Sequence, residues 1–588
     1  MVKTFGSLKR LWSYLRLYKV GFFLAILCEV TATIVNALFP VVVGLPTTRI
    51  AQNIANKETI DFDYIVKILI LITIMSVICN LGYFGSNALM SRVVQRSMRD
   101  LRRDISHKIN RLPVSYFDSH QRGDILSRMT NDVDSLTNAL QQSLLRIISA
   151  TIGMTSAIFM MFKINTKLAL LSMLMIPASV IISKVIVSKS QKYFKAQQDA
   201  LGDLNSYVQE NMTGFAVLKL FGREKENYEN FKTTSHKLSE YGFKSSFISG
   251  LMMPLVQLTS YLVYIIVAVL GGLLVINKTI TLGNLQAFIQ YVWQLNQPMG
   301  QVTQLSAVIQ GASASTKRIF TVLDEQEEPD AANLASLPAT IQGAVTFEHV
   351  SFSYDPAKPL IEDLNFEVKP GQMVAIVGPT GAGKTTLINL LMRFYDVTGG
   401  AIKIDGLDTK QLKREEVRSL FGMVLQDAWL YHDTIMENIR FGKLDATDYE
   451  VVDAAKAANV DHFIRTMPEG YKMMIDEEAD NVSLGQKQLL TIARALLSDP
   501  KILILDEATS SVDTRLELLI QKAMQKVMEG RTSFVIAHRL STIREADLIL
   551  VMDQGQIIEQ GTHEQLLARG GFYEKLYNSQ FGEGEPSD

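Results

Sequence analysis

Only two cysteines occur in 588 residues, Cys28 and Cys79, and both sit inside apolar stretches. That scarcity excludes a disulfide framework and a thiol metal centre. Charge is scarce as well: Asp, Glu, Lys and Arg together make up 20% of the chain and nearly cancel, leaving a formal net charge of −2. Without a basic excess, no nucleic-acid partner is expected. Nor is a cleavable secretion signal, because Lys3, Lys9, Arg10 and Arg16 interrupt the opening residues before an apolar core or small-residue cleavage site forms. There is no low-complexity tract, and no internal repeat strong enough to set the architecture.

Apolar residues are what the chain has in quantity, at 47%, with a mean hydropathy of +0.13. The length calls for two or three domains, and the composition for a protein embedded in a membrane over part of its length. Six stretches are near the ~20 residues needed to cross hydrocarbon: Val20–Leu45, Ile65–Ser86, Leu144–Phe162, Leu168–Val187, Phe247–Ile276 and Leu282–Ile309, the last with the weakest hydropathy. Ahead of them, Leu8–Arg16 mixes apolar and basic residues as an interfacial helix does. The second and third stretches are separated by about fifty residues, the fourth and fifth by about sixty. Both connections keep helical spacing with few Gly or Pro, so they read as extensions of the membrane helices. They carry Arg92, Arg96, Arg99, Arg102, Arg103, Lys108 and Arg111, then Lys189, Lys192, Lys195, Arg223 and Lys225. Basic residues so close to span ends place these loops, and both termini, in the cytoplasm.

After the acidic, Pro-containing run Glu325–Asp330, short β-rich runs alternate with helices, as in an α/β nucleotide-binding domain. The division expected is a membrane domain over 1–320, a linker over 321–340 and a P-loop α/β domain over 341–588. Within the last, Gly378-Pro379-Thr380-Gly381-Ala382-Gly383-Lys384-Thr385 fits G-x-x-x-x-G-K-[ST]. A strand, Met373–Val377, leads into it, and a helix running from Thr385 and Thr386 to Arg393 leads away. That order aims several backbone N–H groups and a helix N-terminus at one phosphate. Lys384 would reach the outer phosphates and the Thr385 hydroxyl would hold Mg²⁺. Downstream, Ile502–Leu505 is an apolar strand ending in Asp506 and Glu507. Phosphoryl transfer needs charge neutralisation and an aligned water, so Asp506 suits a water-mediated Mg²⁺ contact and Glu507 suits polarising the attacking water.

Asn481-Val482-Ser483-Leu484-Gly485-Gln486 then opens a helix. With the phosphate loop and the Asp506-Glu507 pair, this Ser-x-Gly-Gln start resembles an ATP-binding cassette transporter over essentially the whole chain. The resemblance implies that Ser483, Gly485 and Gln486 bind the γ-phosphate of ATP held by an opposite subunit. It also implies that Tyr354 stacks on adenine and that Gln426 senses Mg²⁺ and water. Asp513 would contact the opposite cassette, and His538 the γ-phosphate. Membrane spans first and one cassette second resemble an exporter half-transporter, which works as a dimer by alternating access. Leu112–Asp118, and Thr213–Lys219 with Phe221, resemble the two loops whose short helices couple membrane domain to cassette.

Substrate residues are less constrained. Gln286, Gln290, Gln294, Gln297, Gln301 and Gln304 recur every three or four residues along one helix face. Amides facing lipid are costly, so that face points into the bundle, either as interhelical hydrogen bonds or as substrate contacts. Glu29 is a carboxylate near the middle of the first span, read either as a contact for a cationic substrate or as an ion-pair partner of Arg146. An ATP-driven exporter of amphipathic drugs is the leading expectation, with a lipid or lipid-linked precursor flippase as its alternative. A peptide exporter is less expected, because no added N-terminal peptidase-like domain is seen. A soluble cassette ATPase is disfavoured by the spans. Asp476–Asn481 and Leu484 depart from the usual signature region while Lys384, Asp506, Glu507 and His538 are retained. That imbalance points to a heterodimer with a different half-transporter, a homodimer being the alternative.

Overall fold

The computed structural model describes residues 10–329, 335–338, 340–425, 428–476, 481–506, 514–537 and 540–581; the side chains of 296–307, 514, 541, 580 and 581 are not described. The chain forms two compact units, one of 1–112 with 120–326, the other of 113–119 with 327–588.

The first unit is a bundle of six long helical segments: Lys19–Ala55, Phe62–Ile109, Asn131–Ile164, Thr166–Met173 continuing as Met175–Thr213, Glu224–Gly250 continuing as Met252–Ile276, and Leu282–Asp324. At 1.5 Å per residue the 48-residue second helix runs ~72 Å, more than twice the ~30 Å of hydrocarbon. The long connections are therefore helix, extending the spans beyond the membrane. Among the described residues five helical stretches are long and apolar enough to cross a membrane: Arg10–Ala55, Phe62–Ile109, Arg122–Ile164, Thr166–Thr213 and Glu224–Ile276. The expected sixth, Leu282–Asp324, is one continuous helix but does not join them among the described residues. Asn284, Gln286, Gln290 and Gln294 lower its hydropathy.

Close helix packing is visible where the first and sixth helices cross. A Cβ on Gly283 would lie 1.8 Å from the Gly44 carbonyl oxygen, and one on Gly44 would lie 2.4 Å from that of Gly283. Only glycine lets the two backbones meet, a small-residue crossing suited to a membrane. Thr48 Oγ1 accepts from the Gly283 N–H at 3.0 Å beside it. The chain is helical from Arg10, and Leu11 and Leu15 are buried in the bundle. Arg10 makes a bidentate pair with Asp324 at 2.5 and 2.7 Å, which ties the entry helix to the end of the sixth. Between 11% and 33% of each span's apolar window is buried within the chain, so most of that surface is left for lipid or a second subunit.

The second unit holds two sheets. β1 (Val345–Phe352), β2 (Ile361–Val368), β4 (Gly399–Ile404) and β5 (Leu407–Asp408) form an antiparallel sheet in the order β2-β1-β4-β5. β3 (Met373–Val377), β6 (Phe421–Val424), β7 (Ile502–Asp506), β8 (Thr532–Ile536), β9 (Leu548–Asp553) and β10 (Gln556–Gly561) form the other, ordered β10-β9-β3-β8-β7-β6. All neighbours in it are parallel except β9 and β10. Its central strands read as unbroken apolar runs because helices cover both faces. One core joins both sheets to the helix Lys384–Leu391. A second gathers the helices Ile435–Arg440, Asp448–Ala457, Asp461–Thr466 and Leu484–Ser498 behind β6 and β7. Glu328, from the acidic run, is clamped by Arg418 at 2.7 Å and Arg414 at 3.6 Å.

Candidate functional site

Strand register assembles the site. Ile376 of β3 and Asp506 of β7 both pair with Ile536 of β8, so the carboxyl ends of these strands lie level. Val424 of β6 pairs with Leu505. In an open parallel sheet, loops leaving the carboxyl ends form the ligand crevice. After β3 that loop is Gly378–Gly383; the loops after β6, β7 and β8 lead to Gln426, Glu507 and His538. Those three residues and Asp513 lie outside the described residues, as do 477–480 of the segment Asp476–Asn481.

Gly378 has φ +156°, and a Cβ there would lie 2.2 Å from the Met552 carbonyl oxygen, so a side chain cannot enter where the loop leaves the sheet. Gly383, at φ +99°, caps the helix Lys384–Leu391 from the left-handed region. Lys384 Nζ donates to the carbonyls of Gly378 at 2.6 Å and Pro379 at 3.1 Å. Its ammonium is thereby held over the loop. Burial lowers the Lys384 pKa, opposed by the nearby charge of Asp506. Thr385 is exposed at the helix start and Thr386 is buried. Tyr354 donates to Thr386 Oγ1 at 3.2 Å while its ring, 51% exposed, stands edge-on to Phe352 and Tyr395 at 4.9 and 5.0 Å. The ring is open to a planar partner beside the phosphate loop.

Ser483 caps the 15-residue helix Leu484–Ser498, closing a capping box with Gln486; the Ser483 N–H donates to Gln486 Oε1 at 2.8 Å. Gly485 is buried under this turn, whereas the Leu484 side chain is 41% exposed. The Leu484 departure therefore leaves the helix start intact.

Residues 22–299 match the family described as ABC transporter transmembrane region, and residues 361–510 match the family described as ABC transporter. The chain is 46% identical over 530 residues to a Mycobacterium bovis protein named fatty acid ABC transporter ATP-binding/permease protein, covering 89% of this chain and 83% of that protein. It is 35% identical over 575 residues to a Methylobacillus flagellatus protein named ATP-dependent lipid A-core flippase, covering 97% and 96%. The solved structure of a bacterial Atm1-family ABC exporter with ATP bound superposes at a TM-score of 0.75, with 29% identity over 98% of this chain and 99% of that one. The chain belongs to the ABC transporters. It is an exporter half-transporter with fused membrane and ATP-binding domains, and it couples ATP hydrolysis to transport as part of a dimer.

Two residues that the half-transporter's sequence does not flag brace its ATP-binding unit. Tyr395 donates its hydroxyl to Asp118 Oδ2 at 2.6 Å. Asp118 lies on the short helix Val114–Ser119, which is part of this second unit. Burial, then the hydrogen bond to Asp118 and its charge, raise the Tyr395 pKa. Arg494, in the helix that Ser483 caps, donates to the Asn438 carbonyl at 2.9 Å and the Trp429 carbonyl at 3.2 Å. It thereby ties that helix to the segment following residue 426. Neither residue has a local sequence signal, since each partner is far along the chain.

In the membrane unit the glutamine face divides. Gln286 accepts from Thr47 Oγ1 at 2.5 Å and so joins the first and sixth helices. Gln294 lines a cavity of about 240 Å³. Gln290 is half-buried, and the Gln297 side chain lies outside the described ones. Glu29 is 5% exposed and its Oε2 has no hydrogen-bond partner. The ion pair with Arg146 that was one reading of Glu29 does not form; Glu29 sits beside Ser86 and Ser149 instead.

Proposed function

We propose that this half-transporter exports amphipathic hydrophobic compounds across a bacterial plasma membrane by alternating access, both termini being cytoplasmic. The observation that carries the reading is the level alignment of the β3, β7 and β8 carboxyl ends around a glycine loop whose lysine is held over it. In this reading the domains divide as 1–320, 321–340 and 341–588. Lys384 and the loop N–H groups of 378–386 grip the phosphates, Tyr354 stacks on the base, Glu507 orients water, and His538 and Gln426 contact the γ-phosphate region. Mg²⁺ uses few protein oxygens beside phosphates and waters, and the Thr385 hydroxyl and Asp506 carboxylate fit that demand, with Gln426 as third. When bound, the ion neutralises charge on the phosphates.

Ser483, Gly485, Gln486 and Asp513 would act across the dimer on the partner's nucleotide. Phe215, Val217, Leu220 and Phe221, all exposed on and just after the short helix Phe215–Leu220, suit docking on the partner's cassette. We propose a different half-transporter as that partner: Leu484 offers an exposed apolar side chain where the signature meets phosphate, which favours a specialised opposite face. Glu29, Gln290, Gln294 and Gln297 are the proposed substrate contacts.

A lipid substrate is the second reading, favoured by the names of the Mycobacterium and Methylobacillus relatives. The test is ATPase activity and uptake in inside-out proteoliposomes, with cationic dyes and labelled lipids compared side by side. ATP-dependent accumulation of either supports export. Absence of any ATP-dependent movement, with ATP hydrolysis intact, counts against it.

A further inference from the structure

We infer that the membrane cavity binds the anionic head group of an amphiphile, with Arg146 as its counter-charge. This deepens the export reading and rests on it. The cavity, about 240 Å³ and open on one side, is lined by the first, second, third and sixth long helices, and Thr33, Asn36, Tyr83, Arg146, Ser149 and Gln294 supply its polar lining. Among the described residues no carboxylate belongs to that lining. Asn, Gln, Ser, Thr and Tyr can all donate hydrogen bonds, and Arg adds a forked donor that matches carboxylate and phosphate oxygens.

Charge decides the ligand's sign. Arg146 is exposed on the single chain and makes no ion pair among the described residues. A guanidinium among membrane helices is costly unless it finds an anion or water. Glu29 stands a helical turn before Thr33 on the same face yet is not paired with Arg146 among the described residues, so the exposed guanidinium is open to a ligand. Size decides how much of the ligand enters. Drug-sized ligands fill pockets of ~300–1,000 Å³, so this cavity takes a head group and leaves the hydrocarbon outside, along the apolar helices. Arg146 is two residues inside the expected third span, Leu144–Phe162.

The test uses the full chain with its partner in proteoliposomes. ATPase stimulation and uptake are measured with a labelled long-chain fatty acid, a phosphatidic acid and a cationic dye. The anionic probes should stimulate and the dye should not; the ratio of carboxylate to phosphate response separates the two sources of the anion. In Arg146→Gln the half-stimulating concentration of the anionic probes should rise about ten- to a hundredfold, the range for a lost charged hydrogen bond. Arg146→Lys should recover part of that loss. A photo-crosslinking fatty acid, applied to the unsubstituted protein, should label peptides spanning 33–37 or 146–154, independent of any variant's folding. Overturning results are anionic stimulation unchanged in Arg146→Gln, crosslinks confined to other segments, or transport of the dye alone with loss in Glu29→Gln. The last would leave ATP-driven export standing while removing the anionic substrate. Failure of every probe to move would instead remove export itself and the head-group site with it.

Discussion

Replacing Tyr395 by Phe deletes one hydroxyl and keeps the ring. The ring's contacts with Phe352 and Tyr354, at 5.6 and 5.0 Å, survive, so adenine stacking on Tyr354 should survive too. What is lost is the 2.6 Å bond to Asp118, the anchor of the helix Val114–Ser119. A buried hydrogen bond to a charged group contributes about 1.5–3 kcal/mol. Asp118 is exposed, and solvent screening brings the expectation to roughly 1 kcal/mol, or about fivefold in a docking equilibrium. ATPase should be measured against ATP concentration, with and without a transported amphiphile. The KM for ATP should hold while stimulation falls roughly fivefold. Asp118→Asn should resemble it, and the double variant should lose little more, since one bond is removed only once. A raised KM for ATP with stimulation retained would show that the hydroxyl serves the Tyr354 ring and not the short helix. The pH dependence has a definite sign. A phenol pKa raised in the folded state means the bond contributes fully below the unfolded value of about 10, and is lost only as pH climbs through the higher folded value. Coupling through Tyr395 should therefore be flat between roughly pH 6 and 9.

Glu507→Gln should nearly abolish turnover while nucleotide still binds, because the amide keeps the shape but loses the charge that orients water; Lys384→Ala should weaken nucleotide capture, and both are read by ATP binding beside hydrolysis. Near-normal hydrolysis in Glu507→Gln would remove that role. Gln286→Ala should lower thermal stability slightly, by about 0.6 kcal/mol for an average interhelical bond in a membrane, whereas Gln294→Ala should change which compounds are transported. The reverse assignment would show that the cavity edge, not the Thr47 contact, holds the bundle together. Purified alone, this chain should show little substrate-stimulated ATPase, and robust stimulation from the single chain would establish a working homodimer against the heterodimer proposed above.

What was legible in the sequence follows from the range of the forces involved. The phosphate loop is local: its glycines answer to backbone angles and to one close approach, Gly378 to Met552, and its flanking strand and helix are contiguous with it. The Asp506 strand end is local as well, and parallel pairing through β8 then brings it level with the loop without further instruction. Helical continuity beyond the membrane could be read from the scarcity of Gly and Pro. The sixth span could not be read cleanly, because the glutamines that make its face informative are the residues that depress its hydropathy. Contacts between distant elements had no signal at all: Tyr395 and Asp118 are 277 positions apart, and Arg494 and Asn438 are 56 apart. Glu29 and Arg146 show the same limit inside the membrane. Each was identifiable as a charge in a span, but pairing them requires the axial offset between two helices. One helical turn is ~5.4 Å, more than the reach of an ion pair, so an error of a single turn separates partners from neighbours. That offset is set by packing between the helices, which no pattern of hydropathy records. Because the offset leaves Arg146 without Glu29, the same packing that hid the site from the sequence is what gives the cavity its positive charge.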